Sequence, residues 1–530
     1  MIIIWPDKSY SKYEHPGINK VHVWQQGENS GNLYKIDPLI ITAMLQPVAS
    51  KMEKHTEDEY TDFYYERNLP EMLSREGPQI GKADVNNDGL EDVYMAGAKG
   101  QAGQLYLQTS NGFIKKEEKI FKQFADFEDV AILFFDADGD GDMDLFIGAG
   151  GNNVPPRTRQ LQHRLYKNDG KGNFERDSTA FPNNNMNISV AVENDFDGDG
   201  DMDLFVGSRS VPYSYGLTPS SYLYENDGQG HFRDVAASMN PGISGAGMVT
   251  GAVWADVNGD SKKELIITGE WMATRIFSYK NKKFEEKNTS LTGLYGWWQT
   301  VAAGDLNGDG KQDLILGNIG ENFSLQPDSA HPVKMWLNDF DQSGSIDQFR
   351  TKTIDGKDMP VFIKRDVTEQ FPSLKKENLK NSDYATKTIQ QLFGQQIIEE
   401  STVKEFNYSS SVAAINDGNG SFIIQKLPAM VQLSSVNAIA VTDINNDNRM
   451  DLITGGNKFN FPPQFGRLDA STGDVLINLG SGKFARIEPR ISGLNLTGEV
   501  RDIIEINGIN KRYILIALND RFPVLYRLEK

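Results

Sequence analysis

Seven short segments of the sequence carry acidic or amide side chains at alternate positions, a spacing that suits a metal-binding loop. They follow the nine-residue pattern D-x-[DN]-x-D-G-x-x-[DE], with oxygen ligands at positions 1, 3, 5 and 9 and an expected backbone carbonyl at position 7. In three copies the pattern is altered by Ser261 or Asn448 at position 6, or by Ser343 at position 5. The predicted ligand residues of the first four loops are Asp84, Asn86, Asp88, Leu90 and Asp92; Asp136, Asp138, Asp140, Asp142 and Asp144; Asp195, Asp197, Asp199, Asp201 and Asp203; and Asp256, Asn258, Asp260, Lys262 and Glu264. Those of the last three are Asp305, Asn307, Asp309, Lys311 and Asp313; Asp339, Asp341, Ser343, Ser345 and Asp347; and Asp443, Asn445, Asp447, Arg449 and Asp451.

These loops predict calcium sites. Carboxylate, amide and carbonyl oxygens are hard ligands that suit Ca²⁺, and glycine at position 6 permits a sharp turn. An EF-hand would need a bidentate Glu at position 12 and a following helix, whereas Met95, Ile147, Val206 and Leu316 stand there in the four clearest copies. Polar turns alone would account for one such segment. They do not account for seven with the same spacing, because clustered carboxylates repel one another without a cation.

The loops are not equivalent. Those at 136–144 and 195–203 have a carboxylate at four ligand positions and are the strongest predicted sites. The loops that begin at 256, 339 and 443 could be weak or empty. We expect about five to seven structural Ca²⁺ ions, each contributing on the order of 1.4 kcal/mol at about tenfold saturation. Together they would supply roughly 7–10 kcal/mol, comparable with the net stability of a whole domain.

The elements that position the loops are predicted strands. The six main loops are each followed by a short apolar run that ends near a glycine, such as Leu145–Gly148, which predicts a buried strand. Asn-Asp-Gly segments at 168–170 and 226–228 predict hairpins further along the chain. Four strands in every 50 to 60 residues or so are typical of a β-propeller blade. The sequence therefore predicts an all-β propeller with seven blades, or eight if an inserted segment forms one.

Two segments depart from the repeat. Residues from about 355 to 405 are predicted to form a small helical insertion, because 371–393 has a helical texture and the hairpin of that blade resumes near Val412. Residues 500–517 resemble a last blade that has no acidic loop.

Composition excludes several classes of function. The chain has 530 residues, a formal net charge of −19 and no cysteine, which excludes disulfides, cysteine–zinc sites and thiol catalysis. Its acidity argues against a nucleic-acid partner, since phosphate binding needs basic patches. No apolar run is long enough for membrane insertion. The histidines lack metal-ligand spacing and no nucleophile or phosphate-binding motif is present, so no catalytic residue is predicted.

Three tryptophans and two loops are candidates for a recognition surface. Trp271, Trp297 and Trp298 would either line a groove for a sugar or peptide or pack between blades. Residues 155–159 and Arg209–Tyr213 follow predicted strands, and they would be either recognition loops or plain connections on one face.

The repeats resemble FG-GAP/VCBS repeats, which also form the propellers of integrin α-subunits. Ile4–Ser9 and Asn19–Val23 resemble the end of an ASPIC/UnbV domain, with Lys8 in place of the usual glycine. Residues 55–63 and Gly296–Trp298 resemble the C-terminal propeller of the same family, to which cartilage acidic protein is similar.

The resemblance implies three parts. Residues 1–27 would be the C-terminal remnant of an ASPIC/UnbV-like domain, 28–75 a linker leading into the propeller, and 76–530 an integrin-α-like propeller. The chain would then belong to a longer protein with its export signal upstream. It would lie outside the cell, in the periplasm or on the outer cell surface, where Ca²⁺ is plentiful.

The expected function is that of a calcium-stabilised binding or scaffold module that recognises a protein or a glycan. The resemblance brings no enzymatic activity with it. The alternative is a polysaccharide lyase or hydrolase on a propeller, which would need basic or histidine residues converging beside a metal in a cleft. The sequence shows no such constellation.

Overall fold

The computed structural model describes residues 1–7, 9–17, 19–27, 30–31, 43–418 and 420–528. The chain is 39% strand and 11% helix, so the all-β prediction is confirmed. It divides into a small unit, Met1–Thr42, and a large unit, Ala43–Lys530. The small unit contains a three-stranded antiparallel sheet of Ile2–Ile4, Tyr10–Lys12 and Ser30–Gly31. Lys8 and, within the predicted linker of 28–75, residues 28–29 and 32–42 lie outside the described residues.

The large unit is built from antiparallel sheets of four main strands each. Within the described residues, seven of them follow one another along the chain and are called sheets 1 to 7 here. Sheet 1 comprises Ile80–Ala83, Asp92–Met95, Gln104–Thr109 and Gly112–Lys116, and sheet 2 comprises Asp129–Phe135, Asp144–Ala149, Arg164–Asn168 and Phe174–Asp177. Sheet 3 comprises Asn187–Asn194, Asp203–Ser210, Tyr222–Asn226 and Phe232–Asp234, and sheet 4 comprises Met248–Ala255, Glu264–Met272, Arg275–Lys280 and Lys283–Lys287, with Gly296–Trp297 added. Sheet 5 comprises Thr300–Gly304, Asp313–Gly317, Val412–Asn416 and Phe422–Lys426, and sheet 6 comprises Val436–Thr442, Asp451–Gly456, Asp474–Asn478 and Phe484–Ile487. Sheet 7 comprises Val500–Gly508, Lys511–Leu518, Val524–Leu528 and, from the other end of the unit, Leu45–Val48.

The sheets follow one another in a closed order. The first strand of each sheet contacts the first strand of the next, and that of sheet 7 contacts that of sheet 1. Because Leu45–Val48 supplies the outer strand of sheet 7, the sheet that closes the order is held by both ends of the unit. This is the arrangement of a β-propeller, in which closure protects the sheet edges.

The core lies between neighbouring sheets. The second strands are buried on both faces, as in Asp144–Ala149 and Asp203–Ser210, which explains their continuous apolar runs. Phe146 and Leu165 of sheet 2, for example, belong to one apolar cluster with Leu204 and Tyr224 of sheet 3. Burial of such side chains contributes roughly 1.5–3 kcal/mol each.

An inserted segment separates the second and third strands of sheet 5. It holds strands as well as the predicted helices, and its sheet runs in the order Lys357–Pro360, Asp347–Ile354, Val333–Asn338 and Thr402–Phe406. Five short helices pack on that sheet around Phe349 and Phe371. They are Lys364–Gln370, Leu374–Glu377, Asn381–Ala385, Ile389–Phe393 and Gln395–Glu399.

Residues 51–78 form an irregular strap between Leu45–Val48 and sheet 1. Its backbone bonds to sequence-distant loops, with the Met72 N–H donating to the Asn460 carbonyl at 2.9 Å and the His55 N–H to the Arg521 carbonyl at 3.0 Å. Leu69 and Leu73 are fully buried in a cluster that includes Trp297. The strap is thus part of the folded unit.

Remaining helical segments are single turns. They are Lys119–Lys122, Ala236–Met239, Pro241–Ser244 and Pro489–Ser492, with 3₁₀ turns at Asp62–Tyr64, Arg159–Leu161, Val431–Leu433 and Pro463–Phe465. Among the described residues, none of the helices has the length and apolar character needed to cross a bilayer.

Candidate metal-binding loops

The acidic loops occupy equivalent places in the fold. Six of them join the first strand to the second strand of sheets 1 to 6, and the loop at 339–347 makes the same connection between two strands of the inserted sheet. Their common position follows from the sequence, because each position-9 carboxylate is also the first residue of the strand that follows its loop.

The position-1 carboxylate closes each turn. In the loop at 136, Asp136 accepts from the N–H groups of Gly139 at 2.8 Å and Gly141 at 3.0 Å. Position 6 has a positive φ there, +92° at Gly141, as the predicted turn requires. Ser261 and Asn448 adopt the same region, with φ of 68° and 65°, at a conformational cost that glycine avoids.

The position-9 carboxylate has a structural role that the sequence pattern does not reveal. Asp144 is fully buried, and its two oxygens accept from the backbone N–H groups of Ala137 at 3.1 Å and Asn168 at 2.8 Å. The same pair of bonds recurs at Asp92, Asp203, Asp313 and Asp451. Position 9 therefore ties the loop to the hairpin of its own sheet.

The hairpin asparagine extends this connection to the neighbouring sheet. Asn168 donates its side-chain N–H to the carbonyl of Val85, in the loop of sheet 1, at 2.9 Å. Asn226, Asn416 and Asn478 bond in the same way to Ala137, Val257 and Leu306 in the loops of the preceding sheets. The Asn-Asp-Gly segments were predicted only as turns. The repeated Asn at their first position was the feature of the sequence that could have indicated this second role.

Three loops bring carboxylate oxygens together within 4.8 Å of one another. These groups are Asp136, Asp138 and Asp144; Asp195, Asp197 and Asp199; and Asp339, Asp341 and Asp347. Two oxygens in them, Asp138 Oδ1 and Asp347 Oδ2, are buried without a hydrogen-bond partner. The three converging carboxylate sets fit a hard cation. In the loops at 136 and 339 the unpartnered buried oxygen, which is costly, supports the same interpretation. The loop at 339, in which Ser343 stands at position 5, is one of the three.

The loops with Asn at position 3 are arranged differently. Asn307 donates its amide N–H to Asp309 Oδ2 at 3.1 Å, and Asn445 donates to Asp447 Oδ2 at 3.1 Å. Asn258 makes the same contact with Asp260 at 3.3 Å. An amide N–H thus occupies a carboxylate oxygen that a cation would otherwise use. Among the described residues, these loops and the one at 84 form no close group of three carboxylates.

In two loops a basic side chain lies beside a carboxylate that could otherwise bind a cation. Lys167 Nζ lies 3.0 Å from Asp138 Oδ2, and the Arg449 guanidinium lies 2.5 Å from Asp447 Oδ2. Arg449 stands at position 7 of its own loop, so the loop at 443 carries its own counter-charge.

The position-9 carboxyls have raised pKa values, and nearby carboxylates contribute to the increase. Burial raises the pKa of Asp144 to about 7 and that of Asp203 to about 8, and neighbouring loop carboxylates add to both increases. Backbone N–H donors act in the opposite direction without overcoming these effects.

Of the candidates for a recognition surface, the tryptophans and Arg209 are buried, whereas the loop at 155–159 is largely exposed. Trp271, Trp297 and Trp298 are at most 3% exposed, so the interpretation as an open groove is wrong and they pack between sheets. Arg209, assigned to a loop by sequence, is also buried and lies at the end of a strand. Buried carboxylates surround it and balance its charge.

A buried charge cluster of Glu71, Glu76, Arg209, Glu270 and Lys458 lies beneath the strap. Arg209 Nη2 is 2.9 Å from Glu71 Oε1 and 2.5 Å from Glu270 Oε1, and Nη1 pairs with Glu76. Lys458 pairs with the other oxygen of Glu71. The cluster joins the strap to sheets 3, 4 and 6, and no periodic signal in the sequence marks it.

Neighbouring polar side chains complete the cluster. The Tyr215 hydroxyl donates to Glu270 at 3.0 Å and the Trp297 indole N–H donates to Glu71 at 3.2 Å. Burial acts to raise the pKa of Glu71, but Lys458 and Arg209 outweigh it and lower that pKa to about 2. Burial raises the pKa of Glu270, against the effect of Arg209 and with the help of the Glu71 charge. Of Glu71 and Glu270, Glu270 therefore holds a proton more readily.

No curated protein matches this sequence. The V. cholerae biofilm matrix protein Bap1 is 10% identical in sequence, with a TM-score of 0.37 over 92% of this chain and 91% of that one. The structure described as YCF48 bound to D1 peptide is 7% identical, with a TM-score of 0.41 over 88% and 94%. Neither similarity is close enough to carry an argument. Residues 84–147, 195–267 and 256–316 match the FG-GAP-like repeat family, and the chain therefore contains three FG-GAP-like repeats.

Proposed function

We propose that this chain is a seven-bladed, calcium-stabilised β-propeller that serves as a binding or scaffold module for a protein or glycan, at the cell envelope or outside the cell. The observation that carries the proposal is the convergence of three carboxylates in the loops at 136, 195 and 339, with unpartnered buried oxygens at Asp138 and Asp347. The closed order of the seven sheets supports the blade count.

The residues that would hold Ca²⁺ are those at positions 1, 3, 5 and 9 of these loops. A bound cation would supply positive charge where the carboxylates now face one another, which lowers their mutual repulsion. The ion would also fasten the first strand of a sheet to the second. Because position 9 bonds to the hairpin, and the hairpin asparagine to the preceding sheet, this effect would extend across sheet boundaries.

The narrower relationship to the ASPIC/UnbV family is also a proposal. It rests on the resemblance of Ile4–Ser9 and Asn19–Val23 to the end of that domain, together with the FG-GAP-like repeats. The location outside the cell follows from the same resemblance and from the supply of Ca²⁺ that the loops would need.

Calcium depletion tests the proposal directly. Protein stripped with EGTA and returned to millimolar Ca²⁺ is expected to melt at a higher temperature, since a ligand that binds the folded state alone stabilises it. Three or more sites at about tenfold saturation would add on the order of 4 kcal/mol or more. Differential scanning calorimetry measures the shift, and mass spectrometry under native conditions counts the bound ions.

Magnesium at the same concentration is the control, because Mg²⁺ keeps its water and demands a smaller octahedral site. A melting temperature that is the same in EGTA and in millimolar Ca²⁺ would contradict the proposal. An equal shift with Mg²⁺ would indicate nonspecific screening of the acidic surface.

A further inference from the structure

The four buried arginines of the described residues differ in their partners. Arg164 pairs with Asp129, Arg209 with three glutamates and Arg501 with Glu499. Arg350, which is only 3% exposed, has no carboxylate within ion-pair distance in the described part of the chain. A buried guanidinium without a directly paired carboxylate lowers the stability of the fold. A ligand that supplies a carboxylate would offset this cost.

The bonds of Arg350 leave most of its donors unused. Nη2 donates to the Asn68 carbonyl at 2.8 Å, and Nε has no partner. The guanidinium lies 4.8 Å from the centre of the Phe362 ring, which holds its plane. Burial lowers the pKa of Arg350 to about 10, which still leaves it charged at neutral pH. The arginine is thus a cation whose Nε is buried and whose Nη1 has no hydrogen-bond partner among the described residues.

Arg350 lines an open cleft of about 360 Å³. The cleft forms where three non-repeating parts of the fold meet: the strap, the inserted segment and the turn Pro463–Phe465. Its walls combine apolar and polar side chains. The apolar ones include Phe63, Leu69, Phe362, Pro462, Pro463 and Phe465, and the polar ones besides Arg350 are Arg67, Asn68, Asp366, Glu369 and Gln464. A volume of this size, with an apolar portion and a few placed polar groups, is typical of a ligand pocket.

The rim of the cleft limits the charge of the ligand. Asp366 and Glu369 stand there, with Arg67 paired to Glu369 at 3.3 Å. A ligand with many negative charges, such as an acidic polysaccharide, would be repelled by these carboxylates and by a chain of net charge −19. A ligand with one carboxylate and an apolar substituent matches both the arginine and the walls. Tyr64, which is 84% exposed at the mouth, offers contact to a longer chain beyond the cleft.

We propose that this cleft binds the free C-terminus of a peptide or protein that ends in an apolar residue. Arg350 pairs with the terminal carboxylate through Nη1 and the remaining N–H of Nη2, since a guanidinium matches a carboxylate in a bidentate manner. The terminal side chain packs between Phe63, Phe362 and Phe465. This inference rests on the proposed function as a binding module and assigns its partner class, but it does not require calcium.

Fluorescence anisotropy with labelled hexapeptides tests the assignment. The probes share one sequence with varied last residues, and each is made as the free acid and as the C-terminal amide. Free acids ending in Leu, Phe or Val are expected to bind, and amidation or a terminal Asp to weaken binding about tenfold or more. Arg350→Gln should abolish the difference between acid and amide. Removing an unpaired buried charge should leave the melting temperature unchanged or raised.

Two further variants separate binding from folding. Tyr64→Ser alters an exposed side chain at the mouth and should weaken the hexapeptides several-fold without changing stability. Arg490→Gln, at an exposed arginine paired with Glu488, is the matched control and should bind as the wild type. Equal binding of acid and amide, binding unaffected by Arg350→Gln, or no binding at millimolar peptide would overturn the inference.

Competing ligands decide between sources of the carboxylate. Displacement of the peptide by N-acetylphenylalanine at equal affinity would show a site for small acids, and displacement by an oligogalacturonate would show a site for acidic glycans; both results overturn the proposal. The same samples are melted with and without Ca²⁺. Loss of peptide binding in a protein that Ca²⁺ still stabilises would refute the cleft alone, while Arg350-dependent binding without calcium stabilisation would refute the calcium proposal alone.

Discussion

Charged side chains cluster at both ends of the second strands, but the two ends differ in whether the protein supplies the opposite charge. At the start of these strands, the loops at 136, 195 and 339 gather carboxylates of one sign with few basic partners. At the far end, the strap meets Arg209 and Lys458, which pair with Glu71, Glu76 and Glu270 inside the protein. Under the calcium proposal one end would depend on a cation from solution, whereas the other contains its own cations.

This difference has a consequence for how the fold is held together. The loops repeat, so each one stabilises its own sheet and the loss of one leaves the others in place. The charge cluster occurs once, and it joins the strap to three sheets at the same time. We therefore expect mutations in the cluster to have large effects that do not depend on Ca²⁺, and mutations in one loop to have small effects that do.

The largest effect is expected for Arg209→Met. The substitution leaves Glu71, Glu76 and Glu270 buried with only Lys458 as a cation, and breaking a buried ion cluster in this way costs about 3–5 kcal/mol. Urea unfolding followed by circular dichroism measures the loss of stability. The loss should be equal in EGTA and in millimolar Ca²⁺, because sites that share no partners act additively.

Arg233→Met is the matched control. Arg233 is exposed and pairs only with Glu225 at 2.6 Å, so its loss should change the free energy of unfolding by less than about 1 kcal/mol. A comparable loss for both arginines, or a loss at Arg209 that disappears in Ca²⁺, would show that the two ends of the sheets are not independent.

Glu66 offers a smaller, pH-dependent test at the strap end. It is a half-buried strap carboxylate that accepts from the Tyr215 N–H at 2.6 Å and from the Asn152 side-chain N–H at 3.3 Å, and it has no ion-pair partner among the described residues. Burial raises its pKa from 4.5 to about 7. Because the folded state holds the proton more tightly than the unfolded state, the carboxylate lowers stability increasingly as pH rises from 4.5 to 7.

Glu66→Gln should therefore be more stable than the wild type at pH 8, by about 3 kcal/mol, and equal to it near pH 4. Urea unfolding of both proteins across this range gives the difference, in which the titration of all other groups cancels. Glu369→Gln, at an exposed carboxylate, is the control and should show no such trend. If the difference in unfolding free energy between wild type and Glu66→Gln does not change with pH, then the pKa of Glu66 is not raised by folding.

The two ends also differ in how far the sequence predicts them. Spacing alone locates Asp136, Asp138 and the strands that follow, because a repeat with one structural role leaves the same residues at the same intervals. The strap from 51 to 78 has neither periodicity nor a motif, and its partners, such as Lys458, are hundreds of residues away. Contacts of that kind depend on the closed order of the sheets and cannot be predicted from local pattern.

Within the loops, the sequence predicted the position of each oxygen but not its use. Asp144 was interpreted as a ligand, and in the fold both of its oxygens also accept backbone N–H groups. Asn168 was interpreted as a turn residue, and it also bonds across to the preceding sheet. The inserted segment was predicted as helical because 371–393 has a helical pattern, whereas its strands, such as Val333–Asn338, lie outside that stretch.

The smallest expected effect separates the two kinds of loop. Asp197→Asn converts a loop with three converging carboxylates into the asparagine type, and Asn307→Asp makes the reverse change in the loop at 305. The first should reduce the calcium-dependent rise in stability, and the second should increase it, each by on the order of 1.4 kcal/mol.

In EGTA the signs reverse, because Asp197→Asn removes a repelling charge and Asn307→Asp adds one. Calorimetry of the wild type and both variants, with and without Ca²⁺, gives the four differences. Asp469→Asn, at an exposed carboxylate paired with Arg467, controls for the change in net charge. If both loop variants shift stability equally in EGTA and in Ca²⁺, the carboxylates at position 3 do not face a cation. The two ends of the sheets would then differ only in how exposed their charged side chains are.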